Sequence, residues 1–186
     1  GTIRKMESRL SPGGLPLHLG WQKDGLWVAI ALDNLAELLL ARGEGDRAIS
    51  YLYAALNHGT PLYTWCEERG MAAGSADCPG DRQHLWTPVA GVRLLRDCLV
   101  MEDAEAGRQA LHLCRGAHRS WLVNGPLAVA GASSYFGDVS FRLAHDRAAG
   151  QVTGFVELSG SAPELRLHVR LPEGVRLKAA PAAAGG

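Results

Sequence analysis

Little in the chain would commit it to a polyanion, a membrane or a nucleotide. Nineteen basic and nineteen acidic residues cancel over its 186 residues, which leaves no electrostatic footprint for nucleic acid or an anionic membrane surface. No apolar run reaches the roughly 20 residues that a membrane-spanning helix needs, and the longest, Leu35 to Ala41, is interrupted by Glu37. There is no P-loop, dinucleotide fingerprint or internal repeat. The four cysteines (Cys66, Cys78, Cys98 and Cys114) form no CxxC pair and have no Cys/His spacing of the zinc type, so no metal site is expected. They read plainly as reduced, partly buried thiols. A sharper reading is a Cys66–Cys78 disulfide closing a long loop, on the order of 3 kcal/mol of stabilisation. The first residue is Gly, and no charged-then-apolar leader precedes the first helical pattern, so the chain reads as cut or processed from something longer.

What is present divides into a helical half and a strand half. Ile3 to Leu10 is a short helical piece, followed by a loop broken at Pro12-Gly13-Gly14 and Pro16. Asp24 to Arg42 predicts a helix with Asp24 as N-cap and Gly43 as C-terminal cap, apolar around most of its circumference and therefore buried on most sides. Asp46 to Asn57 predicts an amphipathic helix capped by Asp46, with a stripe of Ile49, Leu52, Tyr53 and Leu56. Thr87 to Met101 predicts a third helix, with Thr87 as N-cap, Pro88 at the first helical position, Val89, Val92, Leu95 and Leu99 inward, and Leu94, Cys98 and Val100 widening the buried face.

From Ala110 the period becomes two. Strands are expected at Leu111 to Cys114, on both sides of an Asn124-Gly125 hairpin turn, from Gly137 to His145, Gln151 to Ser159, Glu164 to Leu171 and Val175 to Lys178. The fold class is therefore α+β: N-terminal helical hairpins over 1–105, an antiparallel β-sandwich or half of one over 106–178, and an unstructured tail over 179–186.

The connection from Pro61 to Pro88 is far longer than a helix–helix link requires, and such connections are usually functional or disordered. It holds Glu67, Glu68, His84, Trp65 and Trp86, and its aromatic content argues against disorder. If the helices alternate direction, the loop before the first long helix opens at the same end. That puts Trp21 and Asp24 on one rim with Glu67, Glu68 and His84. A carboxylate that activates water, beside aromatic platforms that stack on sugars, is half of what an inverting glycosidase uses. The plainer reading of the tryptophans is packing against helix ends, and that of His84 is a satisfied structural histidine.

Two runs carry a resemblance: Leu62-Tyr63-Thr64-Trp65-Cys66-Glu67-Glu68-Arg69-Gly70 and Gly80-Asp81-Arg82-Gln83-His84-Leu85-Trp86-Thr87-Pro88. With the later Ser134-Tyr135-Phe136-Gly137-Asp138-Val139 stretch, they resemble the C-terminal part of six-hairpin, (α/α)6-toroid glycoside hydrolases of the glucoamylase, trehalase and α-L-rhamnosidase type. The resemblance spans about residues 20 to 175. It implies a partial toroid followed by a β-sandwich, a carbohydrate substrate, inverting hydrolysis and no cofactor. It also implies Glu67 or Glu68 as general base, with Trp65, His84, Trp86, Trp21 and Asp24 as substrate contacts. Twelve helices with their connections need roughly 200 residues. Most of the toroid and the general acid are thus expected outside this chain, which alone should be inactive. Expected partners are a carbohydrate, together with the missing helices or a second copy. A non-catalytic carbohydrate-binding or interaction module is the alternative. The resemblance implies a bacterial protein, whether secreted, periplasmic or cytoplasmic.

Overall fold

The computed structural model describes residues 1–19, 25–70, 80–103, 109–162 and 164–178. The chain is mixed helix and sheet, 34% helical and 28% strand, which is the α+β class expected. It divides into two units: Gly1–Ala117 with Ala162–His168, and His118–Ser161 with the stretch from Val169 onward. No helix among the described residues is long and apolar enough to cross a membrane.

The first unit opens with α1 (Thr2–Glu7). The first long helix does not start at Asp24. Gly25–Leu26 is instead a short strand, β1, and Asp24 lies outside the described residues. Helix then runs through α2 (Val28–Ile30), a π-helical segment (Ala31–Ala36) and α3 (Glu37–Ala41). Its nearly all-round apolar surface is buried as expected, at Val28, Ala29, Leu32, Leu35, Leu39 and Leu40. Gly43 ends it in the left-handed conformation (φ 81°) that glycine adopts without a Cβ clash. The amides of Gly43 and Glu44 each close 2.9 Å bonds, to the carbonyls of Leu40 and Leu39.

Helix α4 (Gly45–Asn57) follows at once and completes the helical hairpin. Asp46 is not its N-cap. The helix starts one residue earlier, which leaves Asp46 in the first turn, where a carboxylate favours the positive end of the helix dipole. A Cβ on Gly45 would come within 2.3 Å of the Arg115 carbonyl, so the helix begins at that residue type by necessity. The buried face consists of Ala48, Ile49, Tyr51, Leu52 and Ala55, whereas Tyr53 and Leu56 are exposed. The small residues Ala48 and Ala55 permit close approach, and that turns the stripe away from the larger side chains.

Helix α5 (Trp86–Leu99) starts one residue before Thr87, so Thr87 is a buried first-turn residue and not the cap. Its buried positions are Ala90, Leu94 and Cys98. The expected inward residues Val89 and Val92 are 63% and 70% exposed, and Leu85 and Leu95 are exposed with them. Helix α5 therefore presents apolar residues on both faces. It ends at Leu99, because Val100 turns extended (φ −140°, ψ 106°) and opens β3 (Val100–Asp103).

Strand β3 pairs antiparallel with β4 (Ala110–Leu113). On the other side of β4 lies β8 (Glu164–Leu167), and it is parallel to β4. The expected all-antiparallel pairing fails here because β8 returns after a long excursion, the kind of crossover that parallel strands need. Residues after Leu167 do not extend the strand, and Val175–Lys178 is not a strand either.

In the second unit, Trp121-Leu122-Val123 belongs to a short helix, α6 (Arg119–Asn124), and is not one arm of a hairpin. The His118 side chain accepts from the Ser120 amide at 3.2 Å, an N-terminal cap that nucleates the turn. Asn124-Gly125 ends this helix. A three-stranded antiparallel meander follows: β5 (Leu127–Ser134), β6 (Gly137–Asp146) and β7 (Gln151–Leu158). A register shift between Val129 and Ala132 coincides with Gly131 at φ 60°. The Asp146–Gly150 turn is built as its residues suggest, with Asp146 Oδ1 accepting from the amides of Ala148 (2.9 Å) and Ala149 (3.0 Å).

Candidate functional site

The long loop is organised from its two ends. The Glu67 amide donates to the Asp81 carbonyl (2.8 Å), and the His84 amide donates to the Trp65 carbonyl (2.9 Å). These bonds clip the two arms of the loop together just before α5. Arg69–Gly70 forms β2, which pairs antiparallel with β1 in the register Leu26↔Arg69. Continued by one step, that register sets Trp27 level with Glu68. This ribbon brings the segment before α2 to the loop before α5. Trp21 and Asp24, the expected contacts from the first of these, lie outside the described residues, as do Cys78 and the tail from Ala179.

The expected site residues separate by burial. Trp65 is 7% exposed, and its indole N–H donates to the Ala55 carbonyl at 2.8 Å. It fills the seam under the end of α4 and offers no ring face to a sugar. Glu68 is 0% exposed. Glu67 is half-buried, and its Oε2 accepts from the Asp81 amide at 3.4 Å. His84 is half-buried, with Nδ1 shielded and lacking a hydrogen-bond partner among the described residues. Its ring lies 6.2 Å from that of Trp86, tilted by 52°. Trp86 is 38% exposed, so of the two expected tryptophans among the described residues it is the one that keeps a substantial aromatic surface in solvent.

Trp86 also ties the loop to residues that the pattern analysis did not single out. Its ring meets Trp27 edge-on, with centroids 5.6 Å apart and planes at 80°, a favoured aromatic geometry. Its Nε1–H donates to Asp33 Oδ2. Asp33 lies in the π-helical segment, a local geometry that recurs at functional sites. Arg93 on α5 bridges Asp33 (3.0 Å) and Glu37 (3.4 Å). Further along α5, Arg96 pairs with Asp97 (3.1 Å) and, through two nitrogens, with Glu102.

Four carboxylates and two guanidinium groups thus share one strip, an imbalance that favours a retained proton. Burial, and next the nearby charge of Asp97, push the Glu37 carboxyl up to about 7, against the pull of Arg93. Burial likewise raises Asp97. A carboxyl that keeps its proton near neutrality has the property a general acid needs. The signal in the sequence is Asp33 and Glu37, four residues apart in a helix that is otherwise apolar except for Asn34. Their partner Arg93 is more than fifty residues away, so only folding pairs them.

An apolar groove of about 280 Å³ runs between α4 and α5, lined by Leu52, Leu56, Trp65, Thr87, Gly91 and Leu95 among others. Among the described residues no group of three or more His, Cys, Asp or Glu side chains is arranged to hold a metal ion. Comparison with protein-family models, with curated proteins and with solved structures finds no match for this chain.

Proposed function

We propose that this chain is the C-terminal part of an inverting six-hairpin glycoside hydrolase, contributing the last helical hairpins of the toroid and the β-sandwich that follows it. The observation that carries the reading is Trp86. Its partly exposed ring stands beside His84 and Trp27, and its polar edge is bonded to Asp33, so aromatic surface and carboxylates share one rim. Such a rim suits a sugar, whose ring faces stack on indole while its hydroxyls bond to charged groups. Glu67 is the general base in this reading, because Glu68 is fully buried and cannot meet a substrate water. The exposed apolar residues of α5 would pack against upstream helices of the toroid. The general acid comes from those upstream helices, so the chain alone does not hydrolyse its substrate.

The test is Glu67→Gln in the complete protein. Removal of a general base should lower kcat by about 10²–10⁴-fold with little change in KM. Hydrolysis at the original rate would remove Glu67 from the mechanism. One observation favours a second reading, a carbohydrate-binding module without catalysis: burial of Glu68 leaves the glutamate pair only one carboxylate to offer a ligand. In that case the isolated chain binds glycans on an array, a Glu67/Glu68 double replacement leaves that binding unchanged, and Trp86→Ala abolishes it.

A further inference from the structure

Away from that rim, two histidines meet inside the first unit. His112 sits on β4 with 1% of its surface exposed, flanked in sequence by the buried Leu111 and Leu113. Its Nδ1 lies 2.9 Å from Nε2 of His168, just past the end of β8, and the rings are 5.2 Å apart and tilted by 23°. An N–H···N bond at this distance needs one ring nitrogen that carries a proton and one that does not. We propose that the His112–His168 pair is a proton-sensitive latch that holds β8 on β4 at neutral pH and releases it in acid.

Strand β8 is suited to release. It is four residues long, every one of them exposed, and among the described residues its one strand partner is β4. Beyond the ladder and the side-chain pair, the His168 amide donates to the Leu113 carbonyl at 2.9 Å. A four-residue strand with no buried side chain of its own belongs to the low-stability end of local opening.

The surroundings decide what a proton does. Arg115, from the turn after β4, brings Nη1 to 3.2 Å from His112 Nδ1 and 3.0 Å from Nε2. The same guanidinium is held by the Ala41 carbonyl at the end of α3, at 2.7 Å. Asp103 on β3 is 4.0 Å from His112 Nε2. On β8 itself, Glu164 and Arg166 pair with each other at 2.6 and 2.7 Å. A first proton can sit on His168 and leave the hydrogen bond intact, with His112 as acceptor. A second must go to His112. It sets two N–H groups against each other and an imidazolium about 3 Å from a guanidinium. Burial first, then the charges of Arg115 and Arg166, hold His112 below the ordinary histidine range, while Asp103 and Glu164 oppose them. Release therefore falls on the acid side of about 6.5.

Amide hydrogen exchange, corrected for intrinsic rate, tests this on the chain as it stands, with the β6 and β7 amides as reference. The amide at position 168 should exchange at least about 10-fold faster at about pH 5 than at about pH 7.5, while β6 and β7 change little. His168→Gln keeps a hydrogen-bonding side chain that cannot titrate, and should abolish the acid effect. Equal protection at both pH values in the parent chain would overturn the latch, as would the same acid release in the variant. If the variant is already open at neutral pH, NMR titration of the two imidazoles decides. Coupled steps, one of them below the ordinary range, support the pair, and two independent titrations near 6.5 refute it.

Discussion

From α2 to α5 every helical segment of the first unit carries fully buried residues, whereas in the β5–β6–β7 meander all of them lie on β6. There they are Val139, Phe141 and Leu143, with the strands on either side half-exposed along their length. The two regions have similarly ordinary periodic patterns, yet they distribute burial differently. Loss of one side chain from the helices leaves many others in place. A three-stranded sheet with one well-buried strand has few to lose, and it stands near the minimum for independent stability.

The sharpest break of that comparison is a pair of truncations. Phe141→Ala should cost about 3–5 kcal/mol, and Leu39→Ala, at a fully buried helical position, about 2–5 kcal/mol. The difference of interest is where the loss is felt. Residue-resolved hydrogen exchange should show the β5–β7 amides of the Phe141 variant unprotected while those of α3 and α4 remain protected. Phe155→Ala, on the exposed part of β7, should cost under about 1 kcal/mol. If the Phe141 change melts helices and meander together, the two regions are one cooperative unit and the contrast has no energetic meaning.

How much of this was legible in sequence follows the same divide. The hairpin of α2–α3 and α4 was readable because its cues are local: Gly43 at the left-handed cap, and buried residues three and four apart. The face of α5 was legible in part: Leu94 and Cys98 are buried as expected, but Val89, Val92 and Leu95 are equally apolar and exposed, and pattern alone cannot say which apolar stripe finds a partner. Asn124-Gly125 is a strong hairpin signal in isolation, but the His118 cap upstream made its first arm helical. At the site, Glu67, His84 and Trp86 were found from their loop. Packing of Trp65 against a helix end was the plainer reading of that residue and is what the fold shows, whereas burial of Glu68, next to the β1–β2 ribbon, has no local cue. The pairing of Asp33 and Glu37 with Arg93 and the parallel register of β8 are products of tertiary structure; the acidic pair is visible in the helix, its partner is not.

A second effect, smaller than the truncations, arises from Glu37. Its carboxyl is raised from 4.5 to about 7 by burial first and then by Asp97. The folded state therefore holds the proton more tightly than the unfolded chain does. That contribution is fully present below the unfolded value and is lost as pH climbs through about 7. Glu37→Gln should remove the loss, so the stability of the variant relative to the parent should grow between about pH 4.5 and 7, by on the order of 2 kcal/mol, and level off above. Urea titrations across that range check it. The His112 pair acts in the opposite direction, losing stability as pH falls below about 6.5.

The smallest effect asks whether the helices are as fully packed as their burial implies. Gly91 lies in the middle of α5, where glycine costs about 0.5–1 kcal/mol relative to alanine. No close contact with the described residues and no left-handed backbone conformation requires it. A Cβ there would meet Leu52 Cδ1 at 3.7 Å and Leu32 Cδ1 at 3.9 Å, ordinary contact distances, on the floor of the α4–α5 groove. Gly91→Ala should therefore raise stability by about 0.5–1 kcal/mol, read as a higher urea midpoint at unchanged slope. Gly45→Ala is the opposing control, since its Cβ would lie 2.3 Å from the Arg115 carbonyl and must move backbone to fit. Stabilisation at position 91 with loss at position 45 would mean that the hairpin is tight where α4 meets the Arg115 turn and slack along the groove. If Gly91→Ala destabilises instead, the groove is already closed in solution, and the helical unit is packed as uniformly as its buried residues suggest.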